Sequence, residues 1–305
     1  MARNVLHLEA LSEWRGIGGA GRLSVAFGTI PALLLIFVFI GLPGLGAVRL
    51  SLYRWAGIGE PQFIGLDNYE SVLGDPEIWT TMRITLIYAV LCSVGIVIIS
   101  AVLASAVSSN VKGSAFYKIV WFLPGLAPAA AVSIFWTNAF RPDNGVVNIA
   151  LGALGFDADN AWLAEASSAL YPTVFVTIWV SVGFAFLILL GAMQQIPQSL
   201  TEAAVLDGAS PRERFFTITL PLIRPTLVVL LVLEFIWAFN NFTVIWAMTK
   251  GGPGTSTTTL PVLVYQQAFQ FTSFGTAATL AVIGGSLLFI LGMIGLRLSQ
   301  SRQTS

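Results

Sequence analysis

Apolar residues in this chain fall into long runs separated by polar stretches. They show neither the strict alternation of a half-buried strand nor the narrow stripe of a soluble amphipathic helix. Six runs, near 24–48, 84–108, 115–139, 169–193, 223–248 and 276–298, reach the roughly 20 residues needed to cross about 30 Å of hydrocarbon. The runs from Ile84 to Val107 and from Ala277 to Leu296 carry almost no charge. The first follows a 22-residue polar start with Arg3, Arg15 and Arg22. It exceeds the hydrophobic region of a cleaved signal and so reads as a retained anchor. Pro31, Pro43, Pro124 and Pro128 lie in or beside runs, where neighbouring helices can absorb the lost hydrogen bonds. The pattern predicts an all-α membrane protein with six transmembrane helices: a segment 1–23, a six-span domain 24–298 and a tail 299–305.

Composition excludes the soluble alternative. With 56% hydrophobic and 10% charged residues, the chain would leave large apolar areas facing water. Formal net charge is zero and there is no long basic run, so nucleic acid is not an expected partner. Cys92 is the only cysteine, which precludes an intrachain disulfide, and its apolar setting suits a small buried hydrophobe. Charge also sets direction. With the N-terminus inside, the inner segments hold Arg3, Arg15, Arg22, Lys112, Lys118, Arg212, Arg214, Arg224, Arg297 and Arg302. The outer segments hold only Arg49, Arg54, Arg83, Arg141 and Lys250. Both termini are therefore expected in the cytoplasm of a multi-pass cell-membrane protein.

The inner loop 194–222 carries the most information. Ser199 with Glu202, and Ser210 with Glu213, have capping-box spacing, and Pro211 sits at a favoured first helical position. Gly208 ends the first helix or bends the chain, and Pro221 and Pro225 mark the start of span five. Two short capped helices suit either a rigid docking surface or an amphipathic connector at the membrane. The run Glu202-Ala203-Ala204, Asp207-Gly208-Ala209, then Ile218-Thr219-Leu220-Pro221 closely resembles the EAA loop of binding-protein-dependent ABC importer permeases. That resemblance, which covers roughly 24–298, implies the type I importer permease fold. It also implies coupling helices that dock on an ATPase subunit, with Glu202, Ala203, Ala204, Asp207, Gly208 and Ala209 at the contact. Further implied partners are a second homologous permease, two ATPase subunits and an extracytoplasmic sugar-binding protein.

Two other stretches resemble signatures of the carbohydrate branch: Phe63-Ile64-Gly65-Leu66-Asp67-Asn68-Tyr69, and Gly251-Gly252-Pro253-Gly254 with Ser256, Thr259, Leu260, Tyr265, Ala268 and Phe269. Composition alone would make both turn-rich loops with scattered aromatics. Compact size and a bias of arginine over lysine also resemble the trehalose-importer permeases of actinobacteria. Trehalose or another disaccharide is the expected cargo, with glycerol phosphate as the alternative solute.

The chain has no energy source of its own. Lys112, Lys118 and Lys250 are followed by Gly, Ile and Gly, so no phosphate-cradling Gly-Lys-Ser/Thr turn exists, and ATP and Mg belong to partner subunits. His7 is the only histidine, which leaves no multi-histidine metal site or catalytic triad. An intramembrane enzyme would need clustered titratable groups, and a secondary transporter an internal repeat with ion-coupling residues. Neither pattern is present.

Glu234 is the only acid well inside a span. Eleven residues past Ile223, it stands about 16 Å along a helix, near mid-membrane. An ionisable group there faces a cavity or a partner. At about 100° per residue, Trp237 and Asn241 share its face, joining hydrogen-bonding groups to a flat aromatic surface that suits sugars. The alternative is a polar contact between helices. In the maltose-type member of the family, the sugar site occupies the matching stretches. By that resemblance its positions fall on Glu234, Trp237, Ala238 and Asn241 in span five, and on Val180, Ser181 and Phe184 in span four.

Overall fold

The computed structural model describes residues 19–108 and 113–300. Most of the expected segment 1–23, with His7, most of the tail 299–305, and Lys112 lie outside the described residues.

Helix α1 spans 19–50, its two parts Gly19–Ile36 and Leu42–Leu50 joined through a π turn at Phe37–Gly41. From Phe27 to Ile40 it is apolar and exposed, as befits a helix that meets lipid. A short hairpin follows, β1 (Tyr53–Arg54) antiparallel to β2 (Gln62–Phe63), then α2 (Asp67–Gly74) and the long α3 (Pro76–Ser108). Next come α4 (Ser114–Phe122), α5 (Ala129–Ala139), α6 (Val146–Ala153) and α7 (Leu170–Gln194). The loop 194–222 holds α8 (Gln198–Leu206), and α9 runs unbroken over Pro211–Phe239. The short α10 (Thr243–Met248) and α11 (Leu260–Tyr265) precede α12 (Phe274–Gln300). Helices α1, α3, α7, α9 and α12 are each long and apolar enough to cross a membrane.

Two of the six expected spans are built differently. The run 115–139 is a broken pair bent by 96° between Ser114–Leu126 and Ala129–Ala139. Proline explains the break: Ala127, ahead of Pro128, is extended (φ −76°, ψ 144°), because the proline ring disfavours a helical residue before it. Span five, expected over 223–248, instead covers 211–239. Its helix passes through Pro221 and Pro225, with a π turn at Phe215–Thr219 taking up the irregular bonding just ahead of them. It stops early because two asparagines compete for backbone groups. Asn240 Nδ2 donates to the Ile236 carbonyl (2.9 Å), and Asn241 Oδ1 accepts from the Val244 amide (3.3 Å) at the start of α10.

The core lies where α3, α7 and α9 meet. Tyr88, Cys92 and Ile96 pack against Phe186 and Leu189, and Leu230 and Phe239 close the layer from α9. Cys92 is fully buried, the small apolar filler its surroundings suggest. Gly183 lets α7 touch the end of α4 backbone to backbone. A Cβ there would collide with the Trp121 carbonyl oxygen and come within 2.7 Å of the Phe122 Cα.

The two carbohydrate-branch stretches serve here as clips. Asn68 Nδ2 donates to the carbonyls of Ser51 (2.8 Å) and Tyr53 (3.0 Å), while Thr279 Oγ1 donates to the same Ser51 carbonyl (3.3 Å). The end of α1 is thereby tied to α2 and α12. In the second stretch, Thr257 and Thr258 donate to the carbonyls of Gly252 (2.8 Å) and Gly251 (3.0 Å). The Leu260 amide then donates to Thr85 Oγ1 on α3 (2.8 Å), fixing the start of α11.

Candidate functional site

Two regions carry the expected site residues. The first is α8 and the turn after it. Asp207 ends the helix, Gly208 takes φ +78°, and the amides of Gly208 and Ala209 donate to the carbonyls of Val205 (3.1 Å) and Ala204 (2.9 Å). This is the Schellman arrangement, which needs a residue at ease in the left-handed region. Ser210 then starts the next helix with a complete capping box. Its amide donates to Glu213 Oε2 (2.7 Å), its hydroxyl accepts from the Glu213 amide (3.3 Å), and Pro211 stands at the first position.

The other expected box, Ser199 with Glu202, does not form. Helix α8 starts two residues earlier, with Pro197 at its N-cap, so Ser199 lies inside the first turn and cannot cap it. The second short helix is also not separate, since it is the beginning of α9. Glu202, Ala203, Asp207 and Gly208 are exposed, and Ala204 and Ala209 are half-buried. Leu206 is 89% exposed and Val205 53%, an apolar surface that this chain leaves uncovered.

The second region is a recess of about 290 Å³ lined by Phe122, Gly125, Val180, Ser181, Phe184, Glu234 and Trp237. Five of the expected pathway residues meet there, from α7 and α9. Phe122 and Gly125 were not expected. They arrive because the broken span turns its 3₁₀ segment Leu123–Leu126 against α7, where a Cβ on Gly125 would sit 3.0 Å from the Val180 carbonyl oxygen. The visible signal was Pro124-Gly125 with Pro128 inside an apolar run, and it marked this bend. Phe184 and Trp237 face each other with ring centroids 5.7 Å apart. Glu234 is only 1% exposed, and its Oε1 has no hydrogen-bond partner among the described residues.

Ala238 and Asn241 fall outside the recess. Ala238 is buried in the core cluster. Asn241 lies past the end of α9, so a projection at 100° per residue does not reach it. Its Nδ2 donates to Thr177 Oγ1 (3.1 Å), which is also 2.6 Å from the Tyr88 hydroxyl, a polar bridge joining α3, α7 and the start of α10. Among the described residues no group of three or more His, Cys, Asp or Glu is placed to hold a metal.

A family model described as "Binding-protein-dependent transport system inner membrane component" matches residues 96–304. The sn-glycerol-3-phosphate transport system permease protein UgpA of Escherichia coli (strain UTI89 / UPEC) is 33% identical over 278 residues, covering 89% of this chain and 92% of that protein. The protein of that name from Salmonella typhimurium is equally similar. Among solved structures, a chain of the bacterial alginate ABC transporter, crystallised with alginate pentasaccharide-bound periplasmic protein, superposes with a TM-score of 0.79. It is 21% identical, over 94% of this chain and 97% of that one. A second structure, of a bacterial ABC transporter involved in import of the acidic polysaccharide alginate, gives a TM-score of 0.76 at 20% identity, over 95% and 99% of the two chains. The fold is that of type I ABC importer permeases.

Proposed function

The chain belongs to the family of binding-protein-dependent transport system inner membrane components, and from that membership we propose that it is the permease subunit of an ABC sugar importer. One chain of this kind supplies half of a translocation pathway, so a second, homologous permease faces it across the cavity. Two ATPase subunits bind ATP and Mg and contact α8, and an extracytoplasmic binding protein delivers the sugar. Both termini and α8 lie in the cytoplasm. Closure of the ATPase pair draws the coupling helices together and turns the cavity from outward-open to inward-open.

The observation that carries this reading is the exposed apolar end of α8, with Leu206 89% exposed beside a turn that is rigidly capped on both sides. A surface built this way, and left bare by its own chain, fits a groove on a partner. The ATPase subunit is expected to co-purify with the permease, and Leu206→Asp with Val205→Asp to abolish co-purification without changing permease stability. Undiminished recovery of the ATPase with that double variant would sink the proposal.

The pathway reading places sugar in the recess, with Trp237 and Phe184 against a ring face and Glu234 and Ser181 toward hydroxyls. Trehalose is the proposed cargo. A second reading, glycerol phosphate, is favoured by the names of the 33% identical relatives. Thermal shift of the cognate binding protein against a panel holding both solutes separates them.

A further inference from the structure

Among the described residues the recess holds one ionisable side chain, and it is an acid: neither lysine nor arginine lines it. Lys118, one turn before Phe122 on α4, is not part of the wall, and Arg224 stands about 15 Å from Glu234 along α9. Glu234 Oε1 is buried and unpartnered, whereas buried polar atoms are as a rule satisfied. It is an acceptor for which the described residues supply no donor. Beside it, the half-exposed rings of Phe184 and Trp237 offer flat apolar faces.

We propose that this recess selects neutral polyhydroxylated solutes and rejects anionic ones, with Glu234 as the residue that discriminates. The proposal rests on the recess being part of the translocation pathway. A neutral sugar brings hydroxyl donors for the carboxylate and an apolar ring face for the aromatic pair. A phosphate ester or a uronate brings an acceptor-only group of the same sign into a site without a cation, where poor screening strengthens repulsion. On this account the chain departs from relatives named for a glycerol phosphate and an acidic polysaccharide, although the fold is shared.

The test uses the whole importer, with both permeases, ATPase and binding protein, in lipid nanodiscs. A Ser181→Cys substitution places a reporter thiol in the wall, and its alkylation is read on this chain by mass spectrometry. Cys92 is fully buried and contributes little background. Two matched pairs are the probes: trehalose with trehalose 6-phosphate, and glycerol with sn-glycerol 3-phosphate. The neutral member of each pair is expected to protect the thiol at about tenfold lower concentration than its phosphate, and Glu234→Gln to narrow that gap to about threefold or less. Equal protection by both members, or a gap that survives Glu234→Gln, overturns charge selection while leaving the pathway reading intact. Absence of protection by every probe overturns both. Val180→Cys serves as the reporter if Ser181→Cys impairs assembly. If Glu234→Gln does not assemble, the gap between pair members in the otherwise unaltered importer decides alone.

Discussion

The two ends of α9 are held by different kinds of interaction. At its start, the turn at Gly208–Arg214 is built from neighbours in sequence: a left-handed glycine, a reciprocal Ser–Glu cap and a proline, none more than five residues apart. Toward its far end, the recess around Glu234 is assembled from α4, α7 and α9, with Phe122 and Trp237 more than a hundred positions apart. The first region keeps its shape through local chemistry. The second depends on close helix approach and on polar bridges between helices. Damage should therefore spread differently from each, and substitutions in the two regions can establish whether it does.

The largest effect is expected at Gly183, the point where α7 meets the backbone at the end of α4. A valine there would have to push backbone aside rather than a flexible side chain. Overpacking of this kind costs about 1–3 kcal/mol and more where the neighbour cannot yield. Gly183→Val should lower the thermal midpoint in detergent sharply and abolish transport together with it. A midpoint within a degree or two of the unaltered protein would mean that α4 and α7 are not in backbone contact. The wall of the recess would then need another explanation.

A smaller loss is expected at Thr177, whose hydroxyl serves both Tyr88 and Asn241. Thr177→Val removes that hydroxyl, strands the buried Tyr88 hydroxyl and takes a partner from the half-buried Asn241 amide. The expected cost is about 1–2 kcal/mol, since stranded donors cost 1–3 and hydrogen bonds between membrane helices average below 1. Adding Tyr88→Phe removes the stranded hydroxyl and should recover part of the loss, giving a coupling that independent sites would not show. Strictly additive losses in a double-mutant cycle would dissolve the bridge between α3, α7 and α10.

The same contrast explains how much of the molecule is legible in its amino-acid sequence. Long apolar runs locate the five continuous spans, span five with shifted bounds, because the need to satisfy backbone hydrogen bonds in lipid leaves helices little alternative. The Ser210 box and the glycine turn are legible for the same reason that they are rigid: every partner lies within a few residues. Ser199 and Glu202 have identical spacing, yet Pro197 takes the N-cap two positions earlier, so spacing alone chooses wrongly between two nearby starts. The recess is half legible. Helical projection places Glu234 with Trp237, but it also carries Asn241 past an end of α9 that Asn240 and Asn241 themselves create. Phe122 and Gly125 cannot be placed by periodicity, because the 96° bend that delivers them is a tertiary fact only announced by its prolines.

The smallest expected effect completes the comparison at the start of α9. Ser210→Ala deletes the hydroxyl that accepts from the Glu213 amide and leaves the Glu213 carboxylate bonded to the Ser210 amide. Replacing a capping serine by alanine costs about 1 kcal/mol, which corresponds to roughly fivefold faster amide exchange at the affected helix start. The affected amides should be those of the first turn, near Glu213, because the four leading N–H groups of a helix depend on its cap. Amides of α3 and α7 around the recess, which share no partner with Ser210, should exchange as before, and the thermal midpoint should hardly move. Ser210→Thr keeps the hydroxyl and should restore protection. If exchange instead accelerates in α7 as well as at the start of α9, the Gly208–Arg214 turn and the recess form one cooperative unit. In that case the local character inferred for the turn is wrong.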